Sequence, residues 1–457
     1  MKRHSLYSLL LLIIFLIAIL TGTEFFQPQE MAAYDWLMKT RPARIVSPEI
    51  AVIEISDDTL KSLGRWPLPR NYHAALIKAL SESGCRMIVF DILLSEASRA
   101  DDILAKEIRN SGRVYFPYAF RLGAKKDKNG KIPVSGEILA GLSETLKPFS
   151  AGAGHINIFV DSDGKTRRLP LWVRYGNKLW PALGFLAAAK RMGYPLKKIE
   201  SMIPIDSKGA FWVNYPGAWT KTFQHFSYLD VLKAYAARQK GADARLDLRV
   251  FKDKICFVGL TAAGTSDLRA NPFDSVYPMV GAQASVCDSF LRGDFISRPR
   301  FLWRAAVNSC VFIAVFTVCA YFAPLPAFLF SVFLLFLYSI TAWFLFALKG
   351  GYLDLFLPLL SVALVYTGVL LQKFFEEAQK RRVLEKELEI AASIQRSFLP
   401  SDIRNLGSIQ LRAFLKPAKF VGGDFYDIIC IDDRRPMRSS NPVRYGFLKM
   451  PYTASTF

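Results

Sequence analysis

The stretch EIAVIEISDDTLKSLGRWPLPRNYHAALIKALSESGCRMIVFDI, residues 49–92, decides the fold class. Its two ends, EIAVIEIS (49–56) and RMIVFDI (86–92), are short apolar runs of the kind that strands buried on both faces require. Between them, residues 72–83 carry apolar side chains at helical spacing. Strand, amphipathic helix, strand reads as a βαβ unit, so the two strands run parallel in one sheet.

Moving outward, KICFVGL (254–260) is another buried-strand candidate and AQASVCDSFL (282–291) reads as a helix. INIFVDSDGKTRRLPLWVRY (156–175) has two alternating segments around a DGK turn, which predicts a hairpin. Residues 24–300 are the only stretch long enough for a full soluble core, and they read as one mixed α/β domain.

The rest of the chain is apolar. Of 457 residues 52% are hydrophobic and 21% charged, and the mean hydropathy is +0.20. This excludes a disordered or collagenous protein. Four stretches, 6–23, 305–322, 327–348 and 355–371, are long enough for a helix that crosses a bilayer, which needs roughly 17–25 residues. The first follows Lys2 and Arg3 without an A-x-A site, which favours an uncleaved signal anchor over a signal peptide. The connections APLP (323–326) and KGGYLD (349–354) leave room only for tight helical hairpins.

Lys2 and Arg3 before the first stretch, and Lys373, Lys380, Arg381, Arg382 and Lys386 after the fourth, place both termini in the cytoplasm and residues 24–300 outside the inner membrane. Arg298, Arg300 and Arg304 count the other way, but a long domain translocates largely regardless of its charge. Residues 24–300 hold 40 basic against 28 acidic residues, a net charge of +12. The basic residues are dispersed, which argues for a solvated or envelope-facing surface and against a nucleic-acid partner. The six cysteines, Cys85, Cys256, Cys287, Cys310, Cys319 and Cys430, have no CxxC spacing and are expected to be free, mostly buried thiols.

Several motifs in order carry a resemblance: DDTLKSLGRWPLPRNYHAALIKAL (57–80), the pair Phe90 and Asp91, GHINIFVDSDGKTRRLP (154–170), NYPG (214–217) and KICFVGLTA (254–262). Together they resemble the CHASE domain of the second type. The resemblance implies an extracytoplasmic sensor followed by three transmembrane helices and a cytoplasmic output domain. PMVGAQAS (278–285) departs from the family, which tends to a Pro-Gly-rich turn and a His there, and leaves the start of the final helix open.

Asp57, Asp58 and Asp91 stand at or just after strand ends, where α/β sheets present ligand-binding groups. Asp57 or Asp58 reads as simply as a helix N-cap. Trp66, between Gly64 and Pro67, is either a stacking platform for a ligand or a packed loop anchor. His155 and His225 lack a second ligand at metal spacing.

Beyond the last apolar stretch, residues 372–395 read as a charged helix with Leu384, Leu388 and Ala391 at four-then-three spacing. This is the seam of a two-heptad coiled coil and predicts a homodimer, with a solvated single helix as the alternative. ELEIAASIQRSFLP (387–400) and LRAFLKPAKFVGGDFYD (411–427) then resemble the opening of the type 2C metal-dependent serine/threonine phosphatases, in the stage II sporulation and stress-response regulator branch. The resemblance implies Asp424 and Asp427 as metal-site carboxylates, Asp424 the better candidate, and Mn²⁺ or Mg²⁺ as cofactor. It also implies a phosphorylated anti-sigma-factor antagonist as the partner of an intact relative. Two such ions, held by carboxylates, lower the pKa of a bound water and neutralise phosphoryl oxygens.

The likeness ends at Asp427, since residues 436–457 contain no acidic residue and Asp432 and Asp433 lack the glycine turn. An incomplete α/β phosphatase segment without stable metal binding or turnover is therefore expected. The resulting organisation is a first membrane helix (1–23), a sensor domain (24–300), three membrane helices (305–371), a coiled coil (372–395) and the phosphatase segment (396–457). A non-enzymatic receptor and dimerisation module is the competing reading. A nucleotide cyclase or histidine kinase output is disfavoured, because no H-box helix, nucleotide-binding glycine loop or cyclase motif is present.

Overall fold

Helix α1 (Gln27–Thr40) opens the computed structural model, which describes residues 25–127, 132–196, 203–206, 209–265 and 267–398. Strand β1 (Ile50–Ile55) follows, then helices α2 (Asp57–Leu63) and α3 (Arg70–Glu82), strand β2 (Met87–Asp91), helix α4 (Asp101–Ser111) and the long strand β3 (Val114–Lys126). Strands β4 (Pro133–Ala140), β5 (Gly152–His155), β6 (Phe159–Val160), β7 (Thr166–Pro170), β8 (Trp172–Tyr175) and β9 (Lys178–Pro181) lead into helix α5 (Leu183–Met192). Next come β10 (Ala210–Trp212), β11 (Gln224–Ser227), helix α6 (Tyr228–Gln239), β12 (Ile255–Leu260), β13 (Leu268–Arg269), β14 (Tyr277–Pro278) and helix α7 (Met279–Arg292). Three apolar helices close the series: α8 (Phe301–Tyr321), α9 (Pro324–Lys349) and α10 (Phe356–Ser397).

The main sheet has nine strands in the order β11-β1-β12-β2-β3-β4-β8-β9, with β5 beside β3. Strands β11, β1, β12, β2 and β3 are mutually parallel. The two strands of the quoted unit are thus parallel as expected but not neighbours, because β12 lies between them. Alternation along these strands feeds two cores. Ile50, Val52, Met87, Val89, Ile255 and Phe257 face one core, and Ala51, Ile53, Ile88, Phe90, Cys256 and Val258 face the other. Burial on both sides explains the continuous apolar runs. Each fully buried side chain of this size contributes about 1.5–3 kcal/mol.

The predicted hairpin exists but is shorter than expected. β6 and β7 pair antiparallel around residues 161–165 and join β10 in a separate three-stranded sheet. After Leu171 the chain crosses into the main sheet as β8, which pairs with β9 and β4. The turn of this hairpin is an ion cage. Arg167, with no solvent exposure, reaches Asp35 of α1 with Nε at 2.7 Å and Nη2 at 2.9 Å. It also reaches Asp161 at 2.7 Å and Asp163 at 2.5 Å. Lys165 adds a bond to Asp35 at 2.6 Å, and Arg168 pairs with Asp161.

Helices α8, α9 and α10 are each long and apolar enough to cross a membrane. The stretch 6–23 lies outside the described residues. The connection between α9 and α10 is more than a hairpin turn. Gly350 has φ +64° and sits against the Phe295 carbonyl, where a Cβ would stand 2.2 Å from that oxygen. The chain then bonds Ser297 in both directions, Ser297 N to Gly350 O and Tyr352 N to Ser297 O, each at 2.9 Å. Tyr352 is fully buried, 5.3 Å from the ring of Tyr34 and 5.9 Å from that of Trp212. Asp354 accepts from Arg298 at 2.8 Å and Arg304 at 2.7 Å. Two of the three arginines that count against the orientation inferred from charge are therefore paired.

Of the cysteines, Cys85, Cys256 and Cys287 are free and buried, Cys319 is buried and Cys310 is free and exposed, while Cys430 lies outside the described residues. Residues 366–398 belong to a second unit. Within it the helix continues to Ser397 and exposes Val383, Leu384, Ile390 and Ile394.

Candidate functional site

Strands β11, β1, β12 and β2 end within a residue of one another, and their carboxyl edge is where a sheet of this type presents polar groups. Register places Glu54 of β1 beside Gly259 of β12, and Gly259 beside Asp91 of β2. On the outer side Glu54 aligns with Ser227 of β11. Ser227, Glu54, Gly259 and Asp91 therefore form one row across four strands, and the side chains of Glu54 and Asp91 leave the sheet on the same face. The glycine between them makes room for helix α7: a Cβ on Gly259 would lie 2.4 Å from the Cβ of Val280.

Glu54 pairs with Nδ1 of His225 and accepts from the Thr261 hydroxyl at 3.3 Å. The Trp219 ring stands edge-on to the His225 ring, centroids 4.5 Å apart. Trp219 is held by its backbone N–H, which donates to Asp274 at 2.8 Å, and by Gly281, where a Cβ would strike its ring at 2.5 Å. Nε2 of His225 is enclosed and has no hydrogen-bond partner. Glu54 and His225 keep about a fifth of their side-chain surface in solvent, so the row is reachable. Asp91 is buried, and burial together with Asp267 pushes its carboxyl up to about 8. It is protonated at neutral pH and can donate a hydrogen bond.

The residues singled out in the sequence divide. Asp91 belongs to the row. Asp57 stands beside it, exposed in the first turn of α2, and accepts from the Ala263 amide after β12 at 3.2 Å. Neither Asp57 nor Asp58 is the N-cap, since that position belongs to Ser56, and both carboxylates favour the helix dipole from inside the first turn. Trp66 packs against the second core, as a loop anchor does. His155 is fully buried, and desolvation pushes it down to about 3, so it is neutral. Asp424 and Asp427 lie outside the described residues. Among the described residues no three His, Cys, Asp or Glu side chains gather in metal-binding geometry.

The Glu54–His225 pair was missed in the sequence. One signal was available: Glu54 is the only charge inside a run that is otherwise apolar and buried on both faces. A concavity of about 610 Å³ lies at the other end of the sheet, between Glu82, Arg238, Asp243, Asp247 and Arg249. It involves none of the residues of the row.

A mixed α/β domain built against apolar helices, with a polar row at its carboxyl sheet edge, is the form of a membrane-associated sensor module. The model of the CHASE2 domain matches residues 9–322, and the chain belongs to that family. The matched segment covers the α/β domain and α8. No curated protein matches the chain, and no solved structure does.

Proposed function

We propose that the protein is a multi-pass receptor whose α/β domain faces the extracytoplasmic side, senses a stimulus at the Glu54–Gly259–Asp91 row, and passes it along α10 to a cytoplasmic output. The observation that carries this reading is the CHASE2 match together with the three apolar helices α8 to α10, the first of them inside the matched segment. The row supports a binding role. Glu54 and His225 keep part of their side chains in solvent and Asp91 beside them carries a proton, which together suit a small polar ligand.

The proposed output is a metal-dependent serine/threonine phosphatase using Mn²⁺ or Mg²⁺, supported by the resemblance of residues 387–427. Its substrate class is a phosphorylated anti-sigma-factor antagonist, and the receptor works as a homodimer through residues 372–395. The test of orientation is labelling of single introduced cysteines in intact cells by an impermeant maleimide. Labelling at Asp58 with protection at Glu385 is expected, and external labelling anywhere in residues 372–394 would refute the orientation.

A further inference from the structure

Glu30 lies on α1, ten residues before its last, and is only 3% exposed. Its carboxylate is turned away from solvent. Oε2 accepts from the backbone N–H of Leu355 at 3.1 Å and Oε1 from that of Leu357 at 2.9 Å. Tyr352 Oη donates to the Glu30 backbone carbonyl at 2.9 Å and contacts Oε2 at 3.2 Å. Leu355 and Leu357 flank the first residue of α10. The first amides of a helix have no partner within it, and a carboxylate there satisfies them and favours the positive end of the dipole. The cap of α10 thus comes from a side chain more than 300 residues earlier in the chain.

The same helix α1 is gripped at its middle by the domain. Asp35, one and a half turns after Glu30, is held by Arg167 and Lys165 of the β6–β7 hairpin. At its end Thr40 accepts from Trp343 of α9 at 3.1 Å, and the Arg41 guanidinium lies 5.5 Å from the Phe346 ring. A short rigid rod therefore has one carboxylate in the sensor domain and another on the start of the last apolar helix.

We propose that Glu30 is a positioning residue that couples the β6–β7 hairpin to the start of α10, so that movement of the domain reaches this helix through α1 as well as through the covalent path from α7 into α8. This holds whichever side of the membrane the domain occupies. Burial and Asp354 raise the pKa of Glu30 against the lowering by the Leu357 and Leu355 amides and Arg298.

The experiment is hydrogen exchange of the full chain in lipid nanodiscs, read in peptides spanning residues 352–361, with peptides of β1 and β12 as internal controls. Glu30→Gln retains one acceptor and is expected to speed exchange in 352–361 about tenfold, with Glu30→Ala exceeding it. The decisive comparison is Asp35→Asn, which never touches α10. It is expected to speed exchange in 352–361 in the wild-type background and to add nothing in the Glu30→Gln background. If Asp35→Asn leaves 352–361 unchanged, or if its effect adds to that of Glu30→Gln, coupling through Glu30 is refuted. Should Asp35→Asn also loosen β1 and β12, Lys165→Met, which removes only the outer ion pair, takes its place and is read by the same two outcomes.

Discussion

The guanidinium of Arg167 meets the carboxylate of Asp35 as a fork, at 2.7 and 2.9 Å, with Arg167 wholly out of solvent. Burial opposes the charge on Arg167, but its hydrogen bonds to Asp163, Asp35 and Asp161 outweigh that cost and raise its pKa. This joins helix α1 to a hairpin more than 120 residues away. Removing one partner of such a group leaves the others charged, buried and unpaired.

Arg167→Ala is accordingly expected to destabilise the domain by about 3–5 kcal/mol. Arg167→Lys, which keeps the charge but loses the fork, should cost less. Urea unfolding of the detergent-solubilised chain measures both. A loss below 1 kcal/mol for Arg167→Ala would show that the cage relaxes to admit water.

Stability should fall as pH rises from 6.5 to 8. Asp91 titrates at about 8 in the folded protein against 3.8 ordinarily, so over that interval the folded state holds a proton that the unfolded state lacks. The slope approaches about 1.4 kcal/mol per pH unit. Buried Glu30 and Asp288, also raised, act in the same direction. His73 and His155, both pushed down to about 3, act in the opposite sense and only below their ordinary 6.5. Asp91→Asn should remove part of the alkaline slope, and an identical slope in that variant would place the titration elsewhere.

Gly184 in α5 packs on α7 so closely that a Cβ would lie 2.1 Å from the Gln283 carbonyl oxygen and 3.1 Å from Val286 Cβ. Its own N–H donates to Oε1 of Gln283 at 2.9 Å. The obstacle is backbone and cannot swing aside, so Gly184→Ala should cost about 1–3 kcal/mol despite the helix propensity it gains. Thermal unfolding monitored by circular dichroism would detect it, and an unchanged midpoint would mean that the two helices can separate freely.

Insertions near Lys380 should act by phase. Four residues rotate the downstream part of the helix by about 40° and two residues rotate it by about 200°. In a chimera carrying a complete phosphatase domain after Leu399, activity is expected to survive the longer insertion better than the shorter. Equal activity for the two would replace the rigid helix of the proposed function by a flexible tether.

The parallel strands were legible because burial on both faces leaves its mark on every residue, as in Ile50 to Ile55 and Ile255 to Leu260. Helix α3 was legible for the same local reason. What escaped depends on partners remote in sequence. The segment 166–175 reads as one strand, yet Thr166–Pro170 pairs with β10 and Trp172–Tyr175 with β4 and β9. The row containing Glu54 and Asp91 exists only because β12 inserts between β1 and β2, which no local pattern announces. KGGYLD looked like a bare connection between two spans, and nothing nearby shows that its tyrosine belongs to a core some 140 residues earlier.

That tyrosine bears on how the protein is made. Tyr34 and Trp212 form part of a pocket that Tyr352 fills, and Tyr352 leaves the ribosome only after α8 and α9 have been synthesised. The domain therefore cannot close its core while it is the only part translated. Its maturation waits for the apolar helices to be made, so domain and helices mature in one ordered event, and a fragment ending at residue 300 is a domain with a tyrosine-sized hole in its wall.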